Sequence, residues 1–317
     1  MIARRLGLLV VLVLALAGAL AALRARRADR LPDALFPGFD ARAIARVTIG
    51  PRQPPAGQGQ QSVLTLERGA DGAFALRERF GFRAGAVDLD GWLARVAALR
   101  GGARAGADPR AAELGLGEQA LEIALFDARG ARVASLVQGR ADGDASFVAP
   151  ASGSPQAGGV WRVPRWQRLS ATPLAWLDTR IPLPAAAEWR RIELELGGAR
   201  VECARDEAGR WSCAGKPVPK DALERLGQLC DALYFADVLA AAPRAEDGFA
   251  APRARLVVHP AAGAAVELAL GAAATHALTA SVWSAPFVVA LGAETDALLV
   301  GALEGLFAAS GGAPSQR

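Results

Sequence analysis

Leu64-Thr65-Leu66-Glu67-Arg68-Gly69-Ala70-Asp71-Gly72-Ala73-Phe74-Ala75-Leu76 and Val201-Glu202-Cys203-Ala204-Arg205-Asp206-Glu207-Ala208-Gly209-Arg210-Trp211-Ser212-Cys213 read as one hairpin written twice. In each, apolar residues alternate, a short glycine-containing turn intervenes, and the alternation resumes, which is the pattern of two paired strands. A shift of 137 residues carries Leu66, Gly72, Phe74 and Leu76 onto Cys203, Gly209, Trp211 and Cys213.

The correspondence extends outward. Upstream, Val47 and Ile49 alternate with polar neighbours in Ile44 to Ile49, as Ile192, Leu194 and Leu196 alternate with Glu193 and Glu195, the period of a half-buried strand. Downstream, Leu89, Trp92, Leu93, Val96 and Leu99 form one apolar stripe at helical spacing behind Asp88, an N-cap residue. Leu223, Leu226, Leu229 and Leu233 form its counterpart, entered through Pro219. Then Gly115-Leu116 precedes Leu121, Ile123 and Leu125, and Gly248-Phe249 precedes Leu256 and Val258. Gly130 and Gly263 fall in the next turns, and both glycine pairs differ by 133 residues. Val133 to Val137 matches Val266 to Leu270, and Trp161 to Val163 matches Phe287 to Leu291. Each copy is expected to close in a short apolar helix, near Trp166–Trp176 and Thr295–Phe307.

The predicted fold class is therefore α+β, two tandem copies of a strand–hairpin–helix–antiparallel-strands–helix repeat after an N-terminal transmembrane helix. The predicted divisions are an anchor with basic flanks (1–30), a first repeat (31–182), a second repeat (183–309) and a disordered tail (310–317). Pro51 to Gln61 is an exposed loop by composition, and Ile181-Pro182-Leu183-Pro184 links the copies.

Leu6 to Leu23 is an unbroken run of 18 uncharged residues. As a helix it covers roughly 27 Å, close to a hydrocarbon core of about 30 Å. A cleaved signal peptide competes with this reading, because Ala17-Gly18-Ala19 and Ala19-Leu20-Ala21 fit the small-residue rule. The apolar run continues past both sites, which favours an uncleaved anchor. Arginines near the ends, counted by the positive-inside rule, lean towards a cytoplasmic folded part.

The cysteines point the other way. Cys203 and Cys213 flank one turn and face each other across neighbouring strands, where Cβ atoms lie about 4.5–5.5 Å apart, near disulfide reach. We expect a disulfide there in an oxidising compartment, and two buried thiols in a reducing one. Cys230 lies on the helix and is the odd one.

The formal net charge is +4, but residues 1–30 hold six arginines against Asp29, so the remainder sums to −1. A phosphate-tracking surface needs a clustered cationic excess, so nucleic acid is not an expected partner. No enzymatic motif survives its context. Gly115 to Ala120 matches a dinucleotide fingerprint but opens a strand rather than a helix. Gly209 to Lys216 has a phosphate-loop look with one residue too many, and Pro217 where a hydroxyl is required. Asp142-Gly143-Asp144 begins like a calcium loop but has Phe147 at the glycine position and Gly153 at the glutamate position. His259 and His276 lack partners at metal-ligand spacing. The reading assigns no catalytic residue, cofactor or metal. Trp161 and Trp166, which flank arginines, are core residues or a candidate binding face.

With these features in order, the chain resembles a bacterial family known as domain of unknown function 4340. The residues that carry the resemblance are Pro37-Gly38-Phe39-Asp40 before the first strand, the helix around Trp92, and Leu114-Gly115-Leu116. Val160-Trp161-Arg162-Val163 and Trp176-Leu177-Asp178 complete it. The resemblance implies an envelope protein, often encoded beside ABC-transporter genes of the gliding-motility type; with the span and the cysteine pair, the expected localisation is the bacterial inner membrane, single-pass, with a periplasmic folded part. The resemblance implies no catalytic residues. The expected function is a non-enzymatic, membrane-anchored accessory or binding subunit of such a system, with transporter components as partners. The alternatives are an anchored envelope hydrolase with dispersed acidic residues, which needs convergent carboxylates in a deep pocket, and a cytoplasmic tethered scaffold, which needs free thiols.

Overall fold

The computed structural model describes residues 34–52, 63–100, 104–108, 111–151, 159–272, 276–278 and 286–310. The expected anchor, most of the Pro51–Gln61 loop and the tail beyond Ser310 lie outside these residues. Among the described residues no helix is long and apolar enough to cross a membrane. The fold is mixed α+β, dominated by antiparallel sheet, with three α-helices among the described residues. It divides into two compact units, residues 1–63 with 88–169 and residues 64–87 with 170–317.

The first unit contains β1 (Ile44–Pro51), β5 (Arg104–Gly106), β6 (Leu121–Asp127), β7 (Arg132–Asp142), β8 (Ala145–Pro150) and β9 (Val160–Pro164), in the order β1-β6-β7-β8-β9-β5. Val47 opposes Leu125 and Ile49 opposes Ile123, which sets the alternating residues of both strands on the buried face. On the opposite face of the sheet, Val137, Phe147, Ala149 and Val160 form an apolar cluster with Leu116. Helix α1 (Leu89–Ala98) starts where the Asp88 carboxylate accepts the Gly91 N–H at 2.8 Å, and it buries Leu89, Trp92, Leu93 and Val96.

The second unit holds β2 (Leu64–Arg68), β3 (Phe74–Leu76) and β4 (Phe82–Arg83), ordered β4-β3-β2. It also holds β10 (Trp189–Leu196), β11 (Ala199–Arg205), β12 (Trp211–Cys213), β13 (Lys216–Pro217) and β14 (Phe235–Ala240). After these come β15 (Ala254–Pro260), β16 (Val266–Leu270), β17 (His276–Leu278) and β18 (Val288–Leu291). Strands β10 to β18 are ordered β13-β12-β11-β10-β15-β16-β17-β18-β14. Helices α2 (Lys220–Asp231) and α3 (Ala293–Ala309) pack on one another. Arg79 grips the Asp237 carboxylate of β14 with two hydrogen bonds, at 2.5 and 3.1 Å, and the Phe82 ring meets Phe235 and Phe287 edge-on at 5.5 and 5.0 Å. These contacts seat the β2–β4 hairpin in this unit.

The order β1-β6-β7-β8-β9-β5 is matched strand for strand by β10-β15-β16-β17-β18-β14, and β4-β3-β2 by β13-β12-β11. Two glycines explain why the match was visible in sequence. Gly115 and Gly248 have φ of +71° and +72°, and a Cβ on either would stand 2.6 Å from the Arg140 N or 2.7 Å from the Ala272 N. Only glycine combines that backbone with that approach.

One expected element is corrected. Trp166–Trp176 is not a helix; its only helical turn is the 3-10 turn Pro173–Trp176. Proline at 173 disfavours helical geometry just before it, and the Leu169 N–H and carbonyl are both taken by the Gln138 side chain, at 2.8 and 2.9 Å. The counterpart in the second unit is the 17-residue α3.

Candidate functional site

Helix α2 enters through Val218 and Pro219 directly behind the β11–β12–β13 hairpin, so its first turns stand beside the hairpin face that carries Cys203, Arg205, Trp211 and Cys213. Between them, in the second unit, opens a cavity of 530 Å³. Its floor is Trp189, whose Nε1 donates to the Pro184 carbonyl at 2.7 Å and so fixes the ring. One wall is the 3-10 turn around Ala186 and Ala187, and the opposite wall is Trp211, Val218 and Leu223. Helix α2 comes so close to that turn that Gly227 leaves no room for a Cβ beside Ala186.

Three cations and one acid complete the lining: Arg205, Arg210, Lys220 and Glu224. Lys220 pairs with Glu224 at 3.3 Å across one helical turn. Arg210 pairs with Asp206 at 2.9 Å, and the Arg210 backbone N–H, ahead of the guanidinium, holds the Asp206 carboxyl below its usual range. Both pairs are exposed and therefore weak. Arg205 differs: Nη1 donates to the Ala187 carbonyl at 3.1 Å and Nε to the Gly209 carbonyl at 3.3 Å. It ties the hairpin turn to the opposite wall, and among the described residues no carboxylate pairs with it.

Cys203 and Cys213 oppose each other across β11 and β12, with Cα atoms 4.1 Å apart, and the structure joins them as a disulfide. Both are fully buried under the hairpin that walls the cavity. Leu66 and Leu76, also buried, face each other in the same register across β2 and β3. Cys230 is free and buried on α2; burial first, and the charge of Asp231 second, push its thiol up to about 12.

Trp161 and Trp166 are both more than nine-tenths buried. The Trp166 ring stands edge-on to Trp92 at 5.3 Å, and its Nε1 donates to the Gln138 Oε1 at 3.3 Å. Of the two arginines between them, Arg162 and Arg165, the first is exposed and pairs with Asp142 at 2.7 Å. Sequence reasoning missed the cavity. Its one signal was Trp211, which occupies the hairpin place of the buried Phe74 yet is itself half-buried among charged neighbours.

Two polar clusters lie elsewhere in the second unit. Glu193, on the outer face of β10, meets Arg200 and lies 2.8 Å from the His259 Nε2. Asp247 receives the Arg244 N–H at 2.7 Å and lies 3.0 Å from the His276 Nδ1. Among the described residues no group of three or more His, Cys, Asp or Glu side chains is arranged to hold a metal ion. No protein-family model matches the chain, and no curated protein and no solved structure matches it.

Proposed function

We propose that this chain is a non-enzymatic, membrane-anchored binding subunit of an envelope ABC-type export or gliding-motility-like system, built from two tandem copies of one α+β repeat. The observation that carries it is the cavity between the β11–β12–β13 hairpin and α2, a concave site of the size that binding sites use. The duplication is supported by the strand-for-strand match of the two orders and by the paired glycines Gly115 and Gly248. The anchor rests on Leu6 to Leu23, and the periplasmic placement on the Cys203–Cys213 disulfide, since such bonds persist in oxidising compartments. The transporter link rests on the family resemblance alone.

The test is affinity purification of the full chain from native membranes in mild detergent, with mass spectrometry of the eluate. Export-system membrane components should co-purify with the wild type and be lost from Ala187→Trp, which fills the cavity from an exposed position. If the protein elutes alone, and deletion of residues 6–23 leaves its cellular role intact, the accessory role is wrong.

A further inference from the structure

We infer that the cavity recognises an anionic amphiphile, a small molecule with an apolar body and one acidic head. The inference rests on the preceding reading in taking this cavity as the working site. Its body-binding part is Trp189, Trp211, Val218 and Leu223, a set of surfaces that gain by leaving water and offer few hydrogen bonds to a polar guest. Its head-binding part is Arg205. That guanidinium is half-buried, is held in place by the Ala187 and Gly209 carbonyls, and meets no carboxylate among the described residues. Carbonyl dipoles fix its position without cancelling its charge, so an acid entering the cavity finds a pre-positioned cation and displaces no protein carboxylate. Charge-assisted bonds of this kind are the stronger class, and a planar guanidinium suits carboxylate and phosphate heads alike.

Arg210 and Lys220 stand in the lining with their side chains mostly exposed, so they act on the approach of a ligand more than on its final energy. With Glu224 the lining sums to two positive charges, which disfavours a cationic guest and leaves a neutral one with the apolar surface only. A cavity of 530 Å³ accommodates a body of roughly drug size.

The experiment compares three ligands with the same eight-carbon body, octanoate, 1-octanol and 1-octylamine. Each is titrated against the full chain in zwitterionic nanodiscs, with empty nanodiscs as blank and tryptophan fluorescence as readout. Octanoate should bind at least ten-fold more tightly than octanol, and octylamine more weakly still. Arg205→Gln should abolish the preference for octanoate, while Arg205→Lys, which keeps the charge, should retain most of it. The double variant Arg210→Gln with Lys220→Gln, at exposed positions, brings the lining to zero net charge and should slow octanoate association and make it less salt-dependent. Equal affinity for all three ligands in the wild type, or an octanoate preference unchanged in Arg205→Gln, overturns the inference. If ligand charge proves irrelevant but Ala187→Trp still strips the co-purifying components, the ligand class is wrong and the subunit reading stands. If octanoate binds as described while Ala187→Trp leaves those components in place, the subunit reading fails and the ligand class stands.

Discussion

Removing the Cys203–Cys213 disulfide should destabilise the second unit by about 3 kcal/mol. The bond closes a loop from residue 203 to residue 213, a sequence separation of 10. In the chain-entropy model a loop of that length restrains the unfolded chain by about 3 kcal/mol. The double variant Cys203→Ala with Cys213→Ala removes that term and leaves no polar group behind, and adds the cost of two deleted buried sulfurs to it. With a urea dependence of about 2 kcal/mol per molar, the unfolding midpoint should fall by roughly 1.5 M. The assay is urea unfolding of the full chain in nanodiscs, followed by tryptophan fluorescence, in which Trp189 and Trp211 report on the affected hairpin. Wild-type protein unfolded with dithiothreitol keeps both sulfurs and should show the loop-closure loss alone, with its midpoint at or somewhat above that of the double variant. If the wild type, the reduced wild type and the variant unfold at the same midpoint, the hairpin is held by its strand pairing and the argument from loop closure is refuted.

Three further outcomes are expected. Gln138→Leu should cost about 2–4 kcal/mol in the first unit, because it strips partners from the buried Leu169 N–H and carbonyl and from the Trp166 Nε1, and thermal unfolding will measure it. Cys230, buried and with its thiol pushed up to about 12, should resist alkylation by iodoacetamide at pH 8 in the folded chain and react fully in urea, as read by mass spectrometry; rapid labelling without denaturant would contradict that burial. The Glu193 carboxyl is held below its usual 4.5, first by its hydrogen bond to Arg200 and also by His259, against the opposing effect of burial. Its stabilisation is therefore complete above the unfolded value and is lost as pH falls through the lower folded one. Glu193→Gln should flatten the stability-against-pH curve below about pH 4.5, while an unchanged acid limb would show that the pair contributes nothing.

What the sequence alone determined here is local and periodic. Alternation in Val47, Ile49, Ile192 and Leu194 announced strands because a strand's two faces differ in solvent exposure, and the stripe through Trp92 announced α1 for the same reason at helical spacing. The match between the two strand orders was legible through Gly115 and Gly248, since a left-handed backbone pressed against a neighbour tolerates one residue type. The cysteine pair was legible because a tight turn fixes which residues oppose each other. Short strands such as β5, β13 and β17 were not, because two or three residues carry no period and their pairing energy comes from partners distant in sequence. The end of the first repeat was not, because the segment after Pro164 is organised by the Gln138 side chain, reaching Leu169 from 31 residues away. The cavity was not, because it is a gap between surfaces: Trp189, Arg205 and Leu223 come from a strand, a hairpin and a helix, and only their packing decides that a space remains between them and that the arginine in it meets carbonyls instead of an acid.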